Sequence, residues 1–69
     1  MPTPNGLTTR EVEVLALIAH GKTYPQIAET LYISPDTVKS HVRHIYEKTD
    51  VHARSEAADW YWANITRLG

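Results

Sequence analysis

The sequence predicts an all-α fold, a four-helix (tetrahelical) domain built around a helix-turn-helix. Three observations lead there. No stretch alternates apolar and polar residues as a half-buried strand does; apolar residues recur instead at three- and four-residue intervals. Helix-start signals stand at Thr8, Thr23 and Ser34, each ahead of an amphipathic run. Only Tyr32 to Ser34 separates the second run from the third, and so short a connection forces two helices to cross steeply.

The first helix opens with Thr8-Thr9-Arg10-Glu11, a capping box in which the Thr8 hydroxyl takes the amide of residue 11 while Glu11 reaches back. Leu7 and Val12 have the spacing of a hydrophobic staple across that cap. Val12, Leu15, Ile18 and Ala19 then form the expected inner face, and Gly21 stands where a left-handed residue ends a helix. Thr23-Tyr24-Pro25-Gln26 repeats the device. Pro25 falls in the first turn, where the lost N–H has no intrahelical partner to miss. This second helix is short, from Tyr24 to Leu31, with Ile27, Ala28 and Leu31 facing inward.

Ser34-Pro35-Asp36-Thr37 begins the third helix, with Ser34 as cap, Pro35 at the first helical position and Asp36 favoured by the helix dipole. Over residues 35–49 this helix carries two stripes. Val38, Val42, Ile45 and Thr49 form one, read as core, while Asp36, Lys39, Ser40, Arg43 and Glu47 form a polar one on the other side. After the connector Asp50-Val51-His52-Ala53, a fourth helix is expected from Arg54 to Ile65. Residues 1–6 read as a linker remnant or disordered N-terminus, 7–66 as the domain and 67–69 as a tail.

At 69 residues the chain forms one small domain, which buries only about 60% of its unfolded surface. The absence of cysteine excludes disulfide staples and thiolate metal clusters and suits a cytoplasmic setting. The longest unbroken apolar run, Val14 to Ala19, is far short of the roughly 20 residues that cross a bilayer. No glycine-rich phosphate loop or nucleophile–base pairing is present, so no catalytic residue is assigned and an enzyme is not expected. His41, His44 and His52 lack a carboxylate or cysteine at ligand spacing, so neither a metal nor a cofactor is expected. Net charge is −1. The segment from Pro35 to Arg54 nevertheless holds Lys39, Arg43, Lys48 and Arg54 against Asp36, Glu47 and Asp50, a slight basic excess, while the remainder is slightly acidic.

With these elements in order, the sequence resembles the LuxR family of helix-turn-helix domains, also called the GerE type. The matching stretches are Leu7 to Leu15, Ile27-Ala28, Leu31 to Ser34, Thr37 to Val42 and Ile45 to Lys48, with Arg54 and Ala57 continuing the pattern. The resemblance implies the output domain of a bacterial transcription regulator, binding double-stranded DNA with its third helix in the major groove. Positions matching base contacts are Lys39, Ser40 and Arg43, all on the polar stripe; those matching phosphate contacts are Thr37, Lys48 and Thr23. The fourth helix commonly dimerises in this family. Trp60-Tyr61-Trp62 spans about 200° of helix circumference, so at least one ring is expected outside, and Ala58, Trp62 and Ile65 are read as the homodimer face.

The resemblance further implies an N-terminal sensor, receiver or membrane domain in the parent protein and RNA polymerase as a further partner. Thr49, Asp50 and Ala53 depart from the family pattern, where Leu, Gly or Asn, and a capping Ser or Asn are usual, so looser packing is expected after the third helix. Two other functions fit the same fold: a protein-interaction or dimerisation module with little DNA affinity, favoured by Glu47 and the aromatic cluster, and a sigma-factor-like promoter-recognition domain.

Overall fold

The computed structural model describes residues 4–65. Four helices follow a short 3-10 turn at Pro4–Gly6: α1 (Thr9–Ala19), α2 (Tyr24–Leu31), α3 (Pro35–Thr49) and α4 (Arg54–Asn64). No strand occurs among the described residues, and the chain is all-α as expected. Pro4–Gly6, within the stretch expected to be a linker remnant or disordered N-terminus, forms a short turn from which the Asn5 side-chain amide donates to the Lys48 carbonyl at 2.9 Å. Residues 1–3 of that stretch, and the tail 67–69, lie outside the described residues.

Each helix start follows from local hydrogen-bond chemistry. Both capping boxes close: Thr8 with Glu11, and Thr23 with Gln26. Ser34 accepts the Thr37 amide at 3.1 Å. Each bond satisfies amides that a helix start otherwise leaves unpaired. Ala53, heading α4, offers no side-chain cap; Glu56 instead accepts the His52 amide, one position further out, at 2.7 Å.

Three helix ends share one motif. The Lys22, Ile33 and Val51 amides donate to the carbonyls of Leu17, Ala28 and Tyr46, five residues back, around left-handed Gly21, Tyr32 and Asp50. Gly21 carries this conformation at no steric penalty, whereas Tyr32 and Asp50 adopt it with a side chain.

The core collects Leu7, Val14, Leu15, Ile18, Ile27, Ala28, Val38, Val42, Ile45, Val51 and Ala57. The inner stripe of α3 is buried as its periodicity predicts, down to Thr49, whose hydroxyl donates to the Ile45 carbonyl at 2.7 Å. A threonine at the end of this helix is therefore packed with its polar atom paired. The inner face of α1 differs from expectation. Glu11, Val14, Leu15 and Ile18 are buried, while Val12 and Ala19 are only half-buried. The physical reason is that α1 packs against both α3 and α4, so its buried arc is broader than one stripe and centred elsewhere. A glutamate lies inside that arc.

Candidate nucleic-acid interface

With Val38, Val42 and Ile45 locked in the core, the opposite side of α3 has to face outward, and Asp36, Lys39, Ser40, Arg43 and Glu47 are all exposed. Lys39 and Arg43 lie one helical turn apart and project from the same side, with the small Ser40 beside them. A guanidinium and an ammonium so placed can donate to acceptor pairs on a base edge or to phosphate oxygens. Next to this stripe an open groove of about 650 Å3 runs toward the start of α2, lined by Tyr24, Lys39, Val42, Arg43, Tyr46 and His52, among others.

The three residues expected at phosphates are positioned differently from one another. Thr23 and Thr37 are exposed at the starts of α2 and α3. The Thr23 hydroxyl accepts the Gln26 amide at 3.3 Å, which leaves its own O–H to donate outward. The Thr37 hydroxyl shares a 2.9 Å hydrogen bond with Ser34. Lys48 is engaged inside the molecule: its ammonium donates to Glu11 Oε1 at 2.7 Å and to the Gly6 carbonyl at 3.1 Å. His44 Nδ1 stands 3.9 Å from the second oxygen of the same carboxylate. Burial pushes the Glu11 carboxyl up, but hydrogen bonds from Lys48 and the Thr8 amide outweigh it and hold the carboxyl below its ordinary value of 4.5.

Sequence reasoning missed two features here. One is the Glu11–Lys48 pair, whose members are 37 positions apart; the only signal was a charged residue on a helix face otherwise apolar. The other surrounds Arg54. Its guanidinium donates to the Lys22 carbonyl and lies 5.9 Å from the centre of the Tyr24 ring. Tyr46 lies beside them; burial raises its phenol above the ordinary value of 10.0, Tyr24 adds to the shift and Arg54 opposes it.

On α4, Trp60 and Tyr61 pack against the core while Trp62 stays 44% exposed. The Trp62 ring meets His20 and Tyr61 edge-on at 5.3 and 5.1 Å. Ala58 and Ile65 are half-buried one turn to either side. Among the described residues, no three side chains of metal-ligating type are grouped to hold an ion, and no helix is long and apolar enough to cross a membrane.

Comparison with known proteins places this geometry among regulators. The sequence pattern of the bacterial regulatory proteins of the luxR family (GerE) matches residues 5–61. The chain is 52% identical over 52 residues to the transcriptional regulatory protein LiaR of Bacillus subtilis, covering 75% of this chain and 25% of that protein. It is 48% identical over 56 residues to the probable transcriptional regulatory protein NarL of Mycobacterium tuberculosis, covering 81% of this chain and 26% of that protein. In three dimensions it superposes on the response regulator ChrA of a heme-sensing two-component system with a TM-score of 0.80 and 38% identity, over 91% of this chain and 30% of the other. The chain thus spans about a quarter of the length of the curated relatives it matches.

Proposed function

The chain belongs to the luxR family of bacterial regulatory proteins, and from that premise we propose that it binds double-stranded DNA sequence-specifically to regulate transcription. The observation that carries this reading is the outward stripe of α3, where Lys39, Ser40 and Arg43 stand exposed, backed by a fully buried apolar stripe. In the proposed complex α3 lies in the major groove. Arg43 donates bidentately to a guanine, Lys39 to a neighbouring acceptor, and Ser40 lets the helix approach closely; a good bidentate pair discriminates by about 1–3 kcal/mol. Thr23 and Thr37 hold phosphates from two helix starts, where the dipole also favours an anion. Lys48 contributes a phosphate contact at the far end of α3 with whatever donor capacity Glu11 and Gly6 leave it.

Two copies bind an inverted repeat, paired through Ala58, Trp62 and Ile65 of α4. An exposed tryptophan with two small or aliphatic neighbours at helical spacing supports that surface. The parent protein acts in the cytoplasm, joins this domain to an N-terminal sensor, receiver or membrane domain, and works alongside RNA polymerase. The same tryptophan favours one competing reading, a protein-interaction or dimerisation module with little DNA affinity.

Amide chemical-shift titration with a short duplex at low and high salt separates the two. DNA binding predicts shifts concentrated from Thr37 to Lys48 that fade with salt, and their loss in a Lys39→Glu, Arg43→Glu double variant that keeps its fold. Shifts confined to α4 and driven by protein concentration alone would sink the DNA reading in favour of the interaction module.

A further inference from the structure

Arg54 is the first residue of α4, where the helix dipole disfavours a cation, and no side-chain cap accompanies it. Its charge does nothing for its own helix. The guanidinium reaches instead across the fold to the loop between α1 and α2, donates to the Lys22 carbonyl and covers the Tyr24 ring within the range of a cation–π contact. The Lys22 carbonyl and the Thr23 N–H are two ends of one planar peptide unit. Its other end is also held, because the Thr23 N–H donates to Gln26 Oε1 at 2.9 Å. Arg54 and Gln26 therefore grip the same plane from opposite sides, and Tyr24, the next residue, is held under the guanidinium. The plane fixes the position of the Thr23 Cα, and the bond its exposed hydroxyl accepts from the Gln26 amide at 3.3 Å sets the direction of that hydroxyl from there.

We propose that Arg54 is a positioning residue for DNA binding: it touches no phosphate itself but aims the Thr23 hydroxyl, and the start of α2, at the backbone of the duplex. The inference rests on the DNA-binding reading above. A lysine in its place would keep the charge but lose the planar fork that bonds the carbonyl while lying over the ring.

The test combines DNA affinity with amide hydrogen exchange on Arg54→Met and Arg54→Lys, using a duplex selected by the unaltered domain. Loss of one aimed hydrogen bond predicts about five- to tenfold weaker binding by Arg54→Met. The slope of log affinity against log salt stays unchanged, since no ionic phosphate contact is lost. The Thr23 and Gln26 amides exchange several-fold faster, while those of Leu15 and Ile18 in α1 keep their protection. Arg54→Lys recovers only part of the affinity.

Three results overturn the proposal. A salt slope reduced by about 0.9 makes Arg54 a direct phosphate contact. Full recovery by lysine reduces its role to charge. Uniformly faster exchange in both variants makes it a general stabiliser; if only Arg54→Met unfolds, the lysine variant decides. An unaltered domain that binds no duplex sinks the DNA reading itself, a failure recognisable because the local exchange effect at Thr23 is still measured without DNA.

Discussion

Glu11 carries three duties on one carboxylate. It accepts the Thr8 amide at 2.9 Å to close the cap of α1, accepts Lys48 at 2.7 Å to tie α1 to α3, and through Lys48 draws in the Gly6 carbonyl of the N-terminal turn. The side chain is only 5% exposed, so its charge persists in the fold because those donors are present. Its folded pKa lies below its ordinary value of 4.5, with burial opposing and Lys48 dominating the downward causes. A group shifted down contributes stability that is fully present above its unfolded pKa and is lost as pH falls through the folded one. The melting temperature is therefore expected to drop on acidification below pH 4.5. Glu11→Gln keeps an oxygen for the Thr8 amide but deprives Lys48 of its counter-charge. It should cost about 1–2 kcal/mol at neutral pH, below the range for fully buried pairs because a third of the Lys48 side chain reaches water. Melting curves recorded between pH 3 and 7, about 4–8 °C apart per kcal/mol for a domain this size, should be flatter for the variant. Parallel curves for the two proteins would remove Glu11 from the acid response.

Among the elements, α4 is the one whose start the sequence leaves unfinished. Thr8, Thr23 and Ser34 each take an amide with a hydroxyl, whereas Ala53 has the extended backbone of a cap (φ −145°, ψ 156°) and no acceptor to offer. Ala53→Ser should supply one and, with Glu56 three residues on, permit a third capping box. The expected gain is about 1 kcal/mol, or a melting temperature higher by about 4–8 °C. An unchanged melting temperature would mean that the Glu56 bond to the His52 amide already completes this start. The same local chemistry explains what was legible in the sequence. Caps, prolines and periodicity act over a few residues, and the bounds of α2 and α3 and both stripes of α3 followed from them. The Glu11–Lys48 pair and the Arg54 tether join residues far apart in the chain, and no local pattern encodes which charge meets which carbonyl. The sequence marks Tyr32 as part of the turn and of the family-like stretch Leu31 to Ser34, without indicating its backbone conformation. Its left-handed backbone follows from the need to end α2 and start α3 within three residues, and its side chain, 95% exposed, gains nothing from packing.

For the molecule as a whole, the proposed function has to be reconciled with a net charge of −1. DNA binders draw much of their affinity from released counterions, and a near-neutral domain has few to release. Lys39 and Arg43 are assigned to bases, and Lys48 is partly spent on Glu11, so one copy should make only about one ionic phosphate contact and show a shallow salt slope of about −1. Such a monomer binds weakly. The proposed pairing through Trp62 would change the arithmetic, because the second copy would bind as though already concentrated at the site, a gain that can reach about 10²–10⁴ without new DNA contacts. The measurement is the affinity and salt slope on a half-site and on the full inverted repeat, for the unaltered chain and for Trp62→Ala. On the half-site the two proteins should agree. On the repeat the unaltered chain should bind cooperatively, with about twice the slope, and Trp62→Ala should bind the two halves independently. Equal cooperativity in both proteins would move the dimer contact away from α4. Non-cooperative binding by both would make this chain a one-copy reader, whose specificity then has to come from elsewhere in a longer protein.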